Sequence, residues 1–133
     1  MLEPACVARH AVARADRTDC VTAAVYGCGT IGALILQWLA AMGMQNLYAV
    51  GTREEQKNLL SGLVNCAFCN CRGKDPVDFI MEQTVERGAD IVFECVGVGE
   101  SINNAISSAR AGGQVVLVGN PAGDIEFDKQ VYW

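Results

Sequence analysis

Apolar residues fall into two alternating patterns along this chain. Short continuous runs read as strands covered on both faces, and longer stretches with apolar residues every three or four positions read as amphipathic helices. The runs Val21–Tyr26, Asn46–Val50, Ala67–Cys71, Asp90–Cys95 and Gln114–Gly119 predict five strands. Between the first two lies a helix with Ile31, Leu34, Ile35, Trp38, Leu39 and Met42 on one face; Trp38 is expected in the core, and Gly43 ends the helix. Thr52 and Glu55 form a capping box for a helix that runs to about Val64, with Asn65 as its stop and a short face of Leu59, Leu60 and Leu63. Asp75-Pro76 opens the next helix as cap and first residue, with Val77, Ile80, Met81, Thr84 and Val85 as the buried stripe. Ile102, Ala105, Ile106 and Ala109 mark one more helix, and Ala111–Gly113 a turn before the last strand.

This alternation predicts an α/β fold, a doubly wound parallel sheet in the order 3-2-1-4-5. A sixth strand would complete such a sheet, and the chain stops before it could form. Ahead of the first strand, Glu3–Asp16 reads as a helix with Pro4 near its start and Ala5, Ala8, Val12 and Ala15 at helical spacing. Residues 1–20 are expected to be the remnant of a helix between domains, and residues 21–133 a dinucleotide-binding domain with a truncated sixth strand. Something is expected upstream.

The candidate chemistry lies at the first strand-to-helix turn. Gly27, Gly29 and Gly32 fit G-x-G-x-x-G, a pattern that is weak alone but informative between a strand and a helix. Gly27 allows the sharp turn, Gly29 leaves room for a pyrophosphate, and Gly32 lets the helix pack closely on the strand. The N–H groups of the first helical turn then face the phosphates. An ordinary glycine-rich turn is the competing reading.

Composition narrows the possibilities. Over 133 residues, 51% are hydrophobic and 19% charged, which suits one buried sheet under helices and argues against disorder. A net charge of −5 argues against a broad nucleic-acid face. No apolar run is long enough to span a membrane, and the N-terminus lacks a signal-peptide layout, so a cytoplasmic location is expected. The seven cysteines are expected to be reduced. Cys66, Cys69 and Cys71 tempt a zinc reading but lack a fourth ligand at a usual spacing, and the single histidine, His10, is distant. A core role for these thiols is preferred.

Four blocks in succession carry a resemblance: Glu3-Pro-Ala with Ala8-Arg-His10-Ala, then Gly27-Cys-Gly-Thr-Ile-Gly32, then Glu94-Cys-Val-Gly97, then Gly112-Gly-Gln-Val-Val-Leu-Val-Gly119. Together they resemble the coenzyme domain (Rossmann fold) of zinc-dependent medium-chain alcohol and polyol dehydrogenases, nearest the sorbitol dehydrogenase and galactitol-1-phosphate 5-dehydrogenase branch. The resemblance implies an upstream domain that carries the catalytic zinc and the proton relay, so no catalytic residue is expected in this chain. Glu3 matches a glutamate that in the polyol branch lies near the zinc or its water; the alternative is an exposed acid beside a helix start.

For the cofactor, the resemblance implies backbone donors from Thr30 and Ile31, an adenosine side lined by Cys95, Val96 and Gly97, and a nicotinamide side lined by Val118, Gly119 and Asn120. NAD-binding members carry an acid at the end of the second strand, where this chain has Gly51, followed by Thr52 and Arg53. Glycine makes room for a 2′-phosphate and arginine offers a charged, bidentate donor, so NADP is favoured over NAD. The alternative is that Arg53 is solvated and Glu54 or Glu55 takes the ribose.

The function expected is hydride transfer between NAD(P) and a secondary alcohol, sugar alcohol or sugar-alcohol phosphate, with zinc only in the full-length protein. A non-catalytic NAD(P)-binding or redox-sensing module is the alternative, since one fold serves both. Self-association is also expected, because the fifth strand would form an apolar sheet edge without Lys or Pro. The competing outcome is that Ile125–Trp133 folds back over that edge.

Overall fold

The computed structural model describes residues 2–128. Its elements follow in the order α1 (Leu2–Arg14), β1 (Thr22–Tyr26), α2 (Thr30–Ala41), β2 (Asn46–Gly51), α3 (Glu54–Ser61), β3 (Ala67–Asn70), α4 (Pro76–Gln83), β4 (Ala89–Glu94), α5 (Gly99–Ser108) and β5 (Ala109–Leu117). The five strands form one sheet in the order β3-β2-β1-β4-β5, and every pairing is parallel. The expected doubly wound topology is therefore present.

The alternation of side chains along each strand separates two cores. Ala23 and Val25 of β1 face one way with Leu47, Ala49, Ile91 and Phe93, against α1, α2 and the end of α3. Ala24 and Tyr26 face the other way with Tyr48, Val50 and Val92, against Phe79 and Ile80 of α4 and Ala105 of α5. Tyr48 and Phe79 meet edge to face, with ring centroids 6.5 Å apart. Strands β1, β2 and β4 are buried through nearly their whole length. Fully burying a side chain such as Phe93 or Ile91 contributes roughly 1.5–3 kcal/mol, so these strands fix the frame on which the loops sit.

Several details depart from the expected pattern. The buried face of α2 is Gly32, Ala33, Ile35, Leu36 and Leu39. Ile31, Leu34 and Trp38 pack only partly buried at its margin, and Met42 is exposed. Alpha-1 lies against α2 through Ala8, Ala11, Val12 and Ala15, so a second helix, and not the sheet alone, selects the covered face.

Strand β2 extends one residue further than expected, and α3 is capped one residue later. Its N-cap is Arg53, and the Gln56 side chain, not that of Glu55, reaches back to the preceding N–H groups. A neutral amide can do this while the Glu55 charge stays in water. Alpha-3 ends at Ser61, with Gly62 as C-cap, short of the expected Val64. Leu60 and Val64 reach the core, while Leu59 and Leu63 stay exposed.

In α4 the Asp75 cap and Pro76 are as expected; the Asp78 N–H donates to Asp75 Oδ1 at 3.0 Å. The residue missed on its buried face is Phe79. Val85 lies beyond the helix at φ +54° and is exposed.

The fifth strand starts at Ala109, inside the segment expected to finish α5. The expected turn at Ala111–Gly113 is a bulge within it: the register jumps from Ala89↔Ala109 to Ile91↔Gln114. Beta-5 forms the sheet edge and is partly exposed along its length, unlike the strand covered on both faces that its apolar run suggests. Residues 126–128 are tied to α5, where Asn103 Nδ2 donates to the Glu126 carbonyl at 3.0 Å and the Asp128 N–H donates to Asn103 Oδ1 at 3.1 Å. The described part of the tail thus lies on a helix and does not pair with β5. Val131, Tyr132 and Trp133, invoked for covering that edge, lie outside the described residues.

Candidate functional site: the crevice at the carboxyl ends of the strands

Beta-1 turns into α2 at Gly27, where φ is +93°, a conformation that side chains disfavour. A Cβ on Gly32 would stand 1.9 Å from the Gly27 carbonyl oxygen, so the helix can approach the strand this closely only with glycine there. Over Gly29 the situation is opposite: a Cβ would meet nothing within 4 Å. The open side of the turn is therefore at Gly29. The first ladder bond of α2 runs from the Ala33 N–H to the Gly29 carbonyl at 3.0 Å. The N–H groups of Thr30, Ile31 and Gly32 precede it and have no helix carbonyl to reach. No negative side chain stands in the first turn of α2, which leaves its positive dipole end for an anion.

Next to this turn is a crevice of ≈ 440 Å³, formed by the ends of β1, β2 and β4 with the start of α5. Gly27, Gly29, Gly51, Thr52, Cys95 and Val96 all line it. This is the switch point of the sheet, where the chain leaves β1 to one side and β4 to the other. The structure thus gathers six of the residues singled out from sequence. Arg53 is exposed at the α3 N-cap, outside the lining residues. Glu3 is exposed in the first turn of α1.

Val118, Gly119 and Asn120 are not among the residues lining this crevice; Gly119 and Asn120 lie against Gly97 in the turn that follows β4. A Cβ on Gly119 would come 2.4 Å from the Gly97 nitrogen, and one on Gly97 would come 2.7 Å from the Asn120 carbonyl oxygen. The two glycines let the segments that follow β4 and β5 lie in contact.

Sequence reasoning missed the residue that holds these loops. Glu94 ends β4 with no solvent exposure. Its Oε1 accepts the Val96 N–H at 2.8 Å, the Gly97 N–H at 3.0 Å and the Ser101 hydroxyl at 2.7 Å. Its own carbonyl oxygen accepts the N–H groups of Val118 and Gly119 at 2.8 and 2.9 Å. One residue thereby fixes both segments expected to flank the two halves of a dinucleotide. An acid closing an apolar strand was the available signal. Gln56 and Glu100 also line the crevice and were not singled out for this site.

Two of the thiols lining the crevice, Cys28 and Cys95, are poor nucleophiles. Burial pushes Cys28 and Cys95 up to about 12. Burial likewise raises the phenol of Tyr26, which lines the crevice and is hydrogen-bonded to Ser108. Cys69 is buried, with its thiol toward the Lys74 carbonyl at 3.8 Å.

The residues present fit a dinucleotide: a glycine turn open at one side, unpaired helix N–H groups, and a mostly apolar crevice beside them. They do not fit zinc. Among the described residues, no group of three or more His, Cys, Asp or Glu could hold a metal ion. Among the same residues, no helix is long and apolar enough to cross a membrane.

Comparison with known proteins gives the family and the fold. The family profile described as zinc-binding dehydrogenase matches residues 30–132. The (R,R)-butanediol dehydrogenase of Bacillus subtilis (strain 168) is 34% identical over 118 residues, covering 89% of this chain and 34% of that protein. The Bacillus subtilis sorbitol dehydrogenase is 26% identical over 122 residues, 92% of this chain and 35% of that one. The crystal structure of 2R,3R-butanediol dehydrogenase from Bacillus subtilis superposes with a TM-score of 0.89 at 32% identity, over 97% of this chain and 37% of that chain. A protein of Sinorhizobium meliloti 1021, whose structure has NADP bound, gives 0.87 at 26% identity, over 96% and 39%. The chain spans about a third of the length of these relatives. With profile, sequence relatives and fold in agreement, the chain belongs to the zinc-binding dehydrogenase family, as its NAD(P)-binding part.

Proposed function

We propose that this chain binds and orients NADP(H) for a cytoplasmic dehydrogenase acting on a secondary alcohol, a polyol or a polyol phosphate. The observation that carries the reading is the Gly27–Gly32 turn, sealed by contact at Gly32 and open at Gly29, at the mouth of the crevice. A bound nicotinamide dinucleotide supplies the hydride acceptor or donor. The N–H groups of Thr30, Ile31 and Gly32 hold the pyrophosphate. Cys95, Val96 and Gly97 flank the adenosine, and Val118, Gly119 and Asn120 the nicotinamide, with Glu94 keeping both segments in register. Zinc, held by residues outside this chain, would supply Lewis-acid chemistry in the full-length protein, and Glu3, exposed in the first turn of α1, would be this chain's contribution near it. The purified 133-residue chain should bind dinucleotide without turning over any polyol; turnover above a heat-killed control overturns that assignment.

The preference for NADP rests on Gly51, Thr52 and Arg53, which leave the end of β2 itself without a carboxylate, although Glu54 and Glu55 follow in the first turn of α3. Titration of both dinucleotides by intrinsic fluorescence, repeated with Arg53→Ala, tests it. NADP should bind more tightly, and the substitution should erase the difference. Equal affinities in the unmodified chain, or an unchanged ratio in the variant, refute the preference.

The exposed edge of β5 supports self-association of the chain. Light scattering over a concentration series should show mass rising with concentration, and Val116→Lys should suppress the rise. A strictly monomeric chain at every concentration refutes it.

A further inference from the structure

The side chain of Gln56 stands where an acid on β2 would stand. A Cβ on Gly51 would lie 2.5 Å from Gln56 Oε1 and 2.8 Å from Phe68 Cζ. A side chain at position 51 and the inward Gln56 amide therefore exclude each other. The amide is fixed: Oε1 accepts the Thr52 N–H at 2.9 Å and the Arg53 N–H at 3.2 Å. Two donors facing one atom identify that atom as the oxygen, which leaves the nitrogen, a donor only, as the other polar end. Gln56 lines the crevice together with Gly51 and Thr52. We propose that Gln56 is a specificity-determining residue that admits a 2′-phosphorylated ribose, its neutral amide filling the space of a β2 carboxylate and presenting a donor in its place. The inference rests on the dinucleotide reading of the crevice.

The geometry offers a variant that spares the fold. Gln56→Glu keeps the length and an oxygen for the Thr52 and Arg53 N–H groups, and an acid near a helix N-terminus is favoured by the dipole. Its second oxygen replaces the donor with a negative acceptor, which repels a phosphate and accepts a ribose hydroxyl.

The experiment titrates the 133-residue chain with NADP and with NAD separately and records thermal melts. Gln56→Glu should shift the affinity ratio toward NAD by about tenfold or more at low ionic strength, with the melting temperature held or raised. Asn58→Asp, which adds the same charge on the exposed side of α3, should shift the ratio far less. Gln56→Met, which removes the donor without adding charge, should weaken NADP and spare NAD. A ratio unchanged in Gln56→Glu, or shifted equally by Asn58→Asp, overturns the proposal, and so does Gln56→Met weakening both dinucleotides alike. A wild-type chain that prefers NAD refutes the NADP reading alone; a further shift toward NAD in Gln56→Glu then still supports the role of Gln56. Failure of the wild-type chain to bind either dinucleotide overturns both.

Discussion

Arg110 Nε lies 2.6 Å from Oδ1 of Asp90, whose side chain has no solvent exposure. Asp90 is the second residue of the buried strand β4, at the opposite end of the sheet from the crevice, and gathers the chain there. Its Oδ2 accepts the N–H groups of Val21 and Thr22 and the Thr22 hydroxyl at 2.9–3.0 Å. Arg87 Nη2 adds a second cation 3.0 Å from Oδ1. Burial by itself would raise this carboxyl, but the Arg110 bond and the Val21 and Thr22 donors outweigh it and hold the group well below the usual carboxylate range.

The sign of the pH dependence follows. The folded value is depressed below the ordinary 3.8, so the stabilisation is complete above that pH and is lost as pH falls toward the folded value. Asp90→Asn should cost about 3 kcal/mol at neutral pH, the size expected when one partner of a buried pair is removed. In urea melts at pH 7 and at pH 3, the gap between wild type and variant should narrow at the lower pH. An equal gap at both would contradict this account.

The motif glycines should separate stability from binding. Gly32→Ala drives a Cβ into the Gly27 carbonyl and should destabilise by about 3 kcal/mol or more, because backbone must move. Gly29→Ala meets no protein atom within 4 Å, so its melting temperature should stay near wild type while dinucleotide affinity falls. Melting curves and titrations of the two variants should therefore rank in opposite order. A Gly29→Ala chain with unchanged affinity would show that the open side of the turn is not the pyrophosphate site.

Glu94 should contribute to stability through the number of donors it satisfies. Glu94→Ala strips acceptors from the N–H groups of Val96 and Gly97 and from the Ser101 hydroxyl; the buried Gly97 N–H alone should cost about 1–3 kcal/mol, and the two part-buried donors less. Glu94→Gln turns one acceptor into a donor and should cost less. Ser101→Ala removes a single donor and should cost least, about 1 kcal/mol. Chemical denaturation of the three variants checks the order.

Thiol accessibility should follow burial and ionisation together. With burial pushing Cys28 and Cys95 up to about 12, both are almost entirely in the unreactive thiol form at pH 8. Cys6 is exposed on α1. Mass-spectrometric mapping of iodoacetamide labelling should find Cys6 modified first and Cys28 and Cys95 last. Early modification of Cys95 would contradict the assigned environment.

The sequence by itself determined the strand count, their order, and the place of the glycine turn. The order follows because right-handed crossovers leave few ways to arrange alternating strands and helices, while the strand count and the turn depend on local periodicity and on the close backbone geometry at Gly27 and Gly32. The Asp75-Pro76 cap was legible for the same reason: donor and acceptor lie three residues apart.

The tertiary structure decided what depends on contacts between distant segments. Which side of α2 is covered follows from α1 packing on it, so Leu36 is buried while Met42 is not. The side chain that reaches back to the N-terminus of α3 is that of Gln56, for which Gly51 leaves room. Glu94 holds segments from two strands, through its carboxylate on one side and its carbonyl on the other. Asp90 joins Thr22 and Arg110, which the chain order keeps far apart. An acid at the end of an apolar run reads alike whether it meets water or three donors, and only the packed chain distinguishes the two.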